Sequence, residues 1–454
     1  MNGLTPPPPP APLPPVAPPR TWRFPTPHRR TLANGLTVLV YDLPMRPIAT
    51  AELVLDLPLC AEPTGWDGVA TIAVRALDEG TTSQDAESFA EELDRRGATL
   101  RTEARHGGLH LGLDAPVWHL EDTLALLAEA VQTPTFPRWE IDRLVHERLD
   151  QIAQERAHPP RRALQEFMAA AFDGRFGRPV GGSTDTVARL DAQAVAAFWR
   201  AHISPDRGGL VLAGDFRVLD LETIVEHQFA GWQPEQAHVV EPETPIPRPG
   251  PRVVLVDRPG SVQTQLVLGL AGPDRHDPAW APLTVASHTL GGTLTARIDS
   301  VLREERGYTY GLRARFDPSR RGGVFTIFGS VHTAVTGPAL DELRMIIDRF
   351  LAHGIRVEER NAAVDFLTRV APMRYEGARA VAAEAASVLA GDLPETFIDA
   401  NLDRIRSCTA EQATAAFFSR VRPEDFILAA VGDASRVLDA LRAAGLGEVT
   451  VVCP

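Results

Sequence analysis

Two stretches of this chain repeat one another. Ile203-Ser204-Pro205-Asp206 leads into Leu212-Ala213-Gly214-Asp215 and then Val218-Leu219-Asp220. Val421-Arg422-Pro423-Glu424-Asp425 leads into Ala430-Val431-Gly432-Asp433 and then Val437-Leu438-Asp439. The proline and the glycine are nine positions apart in both copies, and the two glycines are 218 positions apart in a chain of 454 residues. Each copy reads as a helix, a short buried strand, a tight turn and a further helix. A shared order at that period predicts a duplication into two similar α/β halves.

Between the repeats, strand-like runs fall at 36–41, 48–57, 107–113 and 209–213, and again at 252–257, 263–270, 310–316, 323–330 and 426–431. Amphipathic helices separate them, most clearly at 120–131, 138–154, 338–351, 357–370 and 378–389. Hairpins mixed with helices predict an α+β fold, each half a mostly antiparallel or mixed sheet with helices packed on one face. Ten prolines in the first twenty residues mark 1–30 as a disordered proline-rich tail. A first domain is expected over 31–232. A linker follows at 233–251, where six prolines fall without periodicity. A second domain is expected over 252–454.

The net charge is −13, which opposes a phosphate backbone and argues against a nucleic-acid binder. Cys60, Cys408 and Cys453 are an odd, scattered set without a Cys-x-x-Cys pair. They predict reduced thiols and a cytoplasmic protein. No run approaches 18 apolar residues and the start lacks signal-peptide character. No Gly-x-Gly-x-x-Gly, P-loop, Gly-x-Ser-x-Gly, His-Glu-x-x-His or His-x-x-Glu-His array occurs. His106 and His110 are four apart in an extended-looking run, where they read as ordinary polar positions rather than a zinc pair.

The informative stretch is 65–82, framed by Gly68-Val69-Ala70 and Gly80-Thr81. It resembles the metal-binding helix of the pitrilysin-type zinc peptidases, the family of insulysin and the mitochondrial processing peptidase. In that family two histidines flank a catalytic glutamate inside such a frame. The resemblance places Thr71 at the first histidine, Val74 at the glutamate and Arg75 at the second histidine. The last ligand, a glutamate further along, falls at Gln151 by register to Pro159, with Glu147 and Glu155 as neighbouring alternatives. Positions i, i+3 and i+4 share one helix face. Here that face carries a hydroxyl, an isopropyl group and a guanidinium, which supply neither zinc ligands nor a general base.

In the second half Leu302-Arg303-Glu304-Glu305-Arg306-Gly307-Tyr308-Thr309-Tyr310-Gly311 resembles the family's substrate-clamping segment, with Gly291-Gly292, Leu294 and Arg297 leading into it. The resemblance implies that Arg303 and Tyr310 hold a peptide backbone. It further implies a chain inactive on its own: the metal-less subunit of a bacterial heterodimeric zinc metallopeptidase, completing a clam-shell chamber. Zinc and general base are then expected in a homologous partner, with no metal or cofactor in this chain. A structural or peptide-binding homodimer without proteolytic function is the alternative.

Overall fold

The two copies of the repeat form the central strands of two sheets. Leu210–Ala213 and Ile427–Val431 are buried throughout, so they read as unbroken apolar runs rather than alternations. The structure, a computed structural model, describes residues 21–233, 238–248, 250 and 252–453. The strands of the first half are β1 (His28–Thr31), β2 (Thr37–Asp42), β3 (Ile48–Leu55), β4 (Thr99–Arg105), β5 (Gly108–Pro116), β6 (Phe172–Asp173) and β7 (Gly208–Gly214). Then come β8 (Ile246–Pro247), β9 (Arg252–Asp257), β10 (Gln263–Gly272), β11 (Thr309–Ser319), β12 (Gly322–His332), β13 (Ile427–Gly432) and β14 (Glu448–Val452).

One six-stranded sheet has the order β1-β2-β7-β3-β5-β4 and the other, read in the matching direction, β14-β9-β13-β10-β12-β11. In both, the repeat strand is parallel to one neighbour (β2 or β9) and antiparallel to the other (β3 or β10). The chain is therefore two copies of one mixed-sheet α+β unit. Only the outer edge differs: β1 pairs antiparallel with β2, whereas β14 pairs parallel with β9.

Each half packs its own helices on one sheet face. Val69–Arg75, Leu120–Gln132, Arg138–Ala157 and Ala192–His202 contribute to the first core. Trp280–Gly291, Thr336–His353, Val357–Arg369 and Ala410–Arg420 contribute to the second. The opposite faces are covered by exchange. Pro159–Ala171 of the first half lays Ala163, Phe167 and Ala170 on Val256, Val267, Ile427 and Val431 of the second sheet. Ala378–Ala390 of the second half lays Val381, Ala382 and Ala385 on Leu39, Tyr41, Val54 and Val211 of the first. The approach is close: a Cβ at Gly209 would lie 2.1 Å from Leu389 Cδ2.

Residues 21–30, expected as tail, belong to the folded chain. Trp22 stacks on Tyr375 with ring centroids 5.6 Å apart, and Phe24 is buried with its N–H donating to Asp399 Oδ1 at 2.9 Å. Arg23 and Arg29 form ion pairs with Asp403 and Glu395. Two aromatic rings give this stretch an apolar anchor that its proline content conceals. Residues 1–20 lie outside the described residues, as do 234–237, 249 and 251 of the expected linker. The rest of that linker is partly structured: β8 pairs antiparallel with β6, and Arg248 bonds Asp173 at 2.6 Å.

Candidate functional site

The seven-residue helix Val69–Arg75 begins at Gly68, whose φ of 99° only glycine adopts without strain. A Cβ there would also lie 2.8 Å from the Gly181 carbonyl oxygen. Glu62 anchors this start: its Oε1 accepts from the N–H groups of Gly68 and Ala70, each at 3.0 Å. Arg175 pairs with Glu62 and with Asp67, pressing the loop around 175–182 onto the helix. Burial pushes the Glu62 carboxyl upward, against the opposing pull of Arg175.

Thr71 is half-buried, with Oγ1 donating to the Val180 carbonyl at 3.5 Å. Val74 is fully buried in the first core. Arg75 donates to Gln151 Oε1 and to Glu147 Oε2, both at 3.1 Å. The structure thus brings Arg75, Gln151 and Glu147 together, whereas Glu155 lies one turn further on. Glu155 accepts from Arg148 at 2.9 and 3.1 Å, and also from Arg161 and Gln165.

Sequence reasoning missed Arg148. Its side chain is buried, its Nε donates to the Gly181 carbonyl at 3.0 Å, and its Nη1 reaches Gln151 Oε1 at 3.5 Å. A signal existed: an arginine interrupts the buried stripe of Ile141, Leu144, Val145 and Ile152 on that helix.

These residues do not fit a zinc ion. Two guanidiniums approach Gln151 Oε1, neither can donate a lone pair, and both charges oppose a divalent cation. Among the described residues, no group of three or more His, Cys, Asp or Glu could hold a metal.

Arg303 and Tyr310 are built differently. Arg303 lies on the π-helical turn Ser300–Glu305 and, among the described residues, its side chain pairs only with its neighbour Glu304, at 2.7 Å. Tyr310 sits where the β11–β12 register slips between Thr309 and Leu312, a bulge that redirects its side chain. It is 88% exposed. Buried Asp299 shapes this bulge: it accepts the Leu312 N–H at 2.9 Å and pairs with Arg313. No hydrogen bond or ion pair among the described residues joins Arg303 or Tyr310 to the first half.

A groove of ≈470 Å³ separates the halves, lined by Arg105, His106, His110 and Val180 on one side and Arg275 and Arg320 on the other. Arg320 ties the halves together by pairing with Asp56, which Arg207 also holds at 2.6 Å. His106 lies in the β4–β5 turn rather than on a strand, and His110 is buried in β5. Burial, reinforced by Arg175, pulls the His106 imidazole down to about 4. Burial, reinforced by Arg105, does the same at His110. Both rings are neutral at pH 7.

Comparison with known proteins gives the same outline. Residues 37–183 match the insulinase (peptidase family M16) domain, and residues 189–367 match the peptidase M16 inactive domain. An uncharacterized zinc protease of Rickettsia bellii is 24% identical over 337 residues, 72% of this chain and 79% of that protein. An uncharacterized zinc protease of Mycobacterium tuberculosis is 28% identical over 322 residues, 67% and 70% of the two chains. The peptidase M16 inactive domain from Pseudomonas fluorescens superposes with a TM-score of 0.82 at 22% identity, covering 90% of this chain and 98% of its own. A chain of Complex III2 from Candida albicans superposes at 0.76 with 15% identity, covering 93% and 99%.

Proposed function

Because the chain belongs to peptidase family M16, the insulinase family, and carries arginine where that helix would hold its metal, we propose that it is the non-catalytic subunit of a cytoplasmic heterodimeric zinc metallopeptidase. It completes a clam-shell chamber against a homologous subunit that supplies zinc and general base. Its second half presents Arg303 and Tyr310 to the peptide. Arginine offers a rigid fork of donors to backbone carbonyls. A tyrosine hydroxyl can donate to a carbonyl or a developing oxyanion.

The observation that carries this reading is a contrast within the chain. Arg75 is held by Gln151 and Glu147, whereas Tyr310 is held outward on a bulge without a side-chain hydrogen-bond partner among the described residues. A bulge that exposes a tyrosine is a feature that function retains more readily than packing does.

The test is purification of the chain from its native cell, with zinc analysis of every chain that accompanies it. A homologous zinc-bearing chain is expected. In the assembly, Arg303→Ala and Tyr310→Phe should each lower peptide turnover at least tenfold without preventing association. Unchanged kinetics in both variants remove the clamp. Recovery of a homodimer with no metal-bearing companion supports the alternative, a structural or peptide-binding homodimer.

A further inference from the structure

The duplication gives the degenerate metal position a counterpart. In the first half it lies between Val69–Arg75, which follows β3, and Arg138–Ala157. The corresponding helices of the second half are Trp280–Gly291, which follows β10, and Val357–Arg369. In the first half side chains bond across the space between the helices. In the second half a cavity of ≈270 Å³ opens there, lined by His288, Thr293, Arg297, Arg356, Glu359 and Phe366 among others.

The charges in this cavity do not cancel. Glu359 accepts from Arg297 Nε at 2.8 Å and Nη2 at 2.6 Å, and from Arg356 Nη2 at 3.0 Å. Burial raises the Glu359 carboxyl, but these bonds outweigh it and hold it at about 2, so it is ionised. Burial lowers the His288 imidazole to about 4, so it is neutral. Among the lining groups two guanidiniums against one carboxylate leave a single positive charge, with Glu358 acting on Arg356 from outside the lining. A cation is disfavoured there.

Donors remain unused. Arg356 spends one nitrogen on Glu359, and its side chain is 73% exposed. Among the described residues the Thr293 and Thr295 hydroxyls bond only one another, at 3.2 Å. His288 stacks on Phe366 at 4.8 Å, and its ring nitrogens have no hydrogen-bond partner among the described residues. Phe366, Ala362 and Ala363 supply an apolar wall.

We infer that this cavity is a binding site for a short-chain monocarboxylate. Arg297 is spent on Glu359 and on the Gly354 carbonyl, so the remaining nitrogens of Arg356 meet the carboxylate, the threonine hydroxyls complete its hydrogen bonds, and the short alkyl chain lies against Phe366 and the two alanines. One net positive charge matches a monoanion better than phosphate. The site needs neither the proposed partner nor the clamp, so it can be tested on the isolated full-length chain.

The test is titration of the chain with sodium butyrate, acetate, phosphate and chloride at equal ionic strength, following the His288 imidazole resonances by NMR. Butyrate should give a saturable shift, acetate a weaker one, and phosphate and chloride none. Arg356→Ala should weaken butyrate binding at least tenfold. Arg356 also begins its helix, so Ala362→Leu provides a second variant, at an exposed helical position, that narrows the cavity and should abolish the butyrate response. Equal shifts from phosphate or chloride overturn the inference. So does the absence of any butyrate shift, or wild-type butyrate affinity in Ala362→Leu.

Discussion

Placing three zinc ligands at positions 71, 75 and 151 should give a poor zinc site until Arg148 is also changed. The perturbation is Thr71→His, Arg75→His and Gln151→Glu, which puts two imidazoles and a carboxylate on the helix faces and removes one guanidinium. Arg148 remains, buried, with Nη1 3.5 Å from the oxygen of residue 151. Zinc bound to that oxygen at about 2 Å would lie roughly 5 Å from the guanidinium. At an effective dielectric near 20, a divalent ion and a unit charge at that range repel by about 6 kcal/mol. Glu155, held by both terminal nitrogens of Arg148, offsets much of this. A residual of about 2 kcal/mol corresponds to roughly thirtyfold in affinity. Adding Arg148→Gln, which keeps a donor for the Gly181 carbonyl, should tighten zinc binding by about ten- to a hundredfold. The assay is competition for zinc against a chromogenic chelator at pH 7.5. Equal affinities with and without Arg148→Gln would refute the electrostatic argument.

Two further outcomes follow from packing and burial. Phe167→Ala removes a fully buried ring from the helix that crosses to the second sheet, and should cost about 3–5 kcal/mol in urea unfolding. The transition should remain single when followed by probes in each half, since both cores depend on the crossing helices; two separated transitions would contradict this. His106, His110 and His288 are all pulled to about 4 in the folded chain, against about 6.5 unfolded. The unfolded chain therefore takes up more protons between these values. This contribution to stability is fully present above pH 6.5 and is lost as pH falls towards 4, at about 2 kcal/mol per histidine after allowance for residual solvent contact. Thermal melts between pH 7.5 and 4.5 should show the decline, and His110→Gln should flatten it. An identical profile in that variant would exclude His110 as a source.

The duplication was legible because its central strands are buried on both faces, which makes Leu210–Ala213 and Ile427–Val431 conspicuous. Of the edge strands β11 was legible, whereas β1, β4 and β14 were not. β1 is exposed throughout, and β4 alternates weakly around Arg101 and Glu103, so neither shows an apolar period. The donor chemistry of Thr71, Arg75 and Gln151 was readable one residue at a time. The bonds among them were not, since Arg148 belongs to a helix remote in sequence from Arg75. The bulge at Tyr310 was hidden as well, since a slipped register depends on the opposing strand, here β12.

The exchange of Pro159–Ala171 and Ala378–Ala390 makes each copy the lid of the other. A polypeptide severed between β8 and β9 would yield two fragments, each with a bare β-surface and a spare amphipathic rod shaped for its sibling. Such fragments should be sticky alone and recombine when mixed.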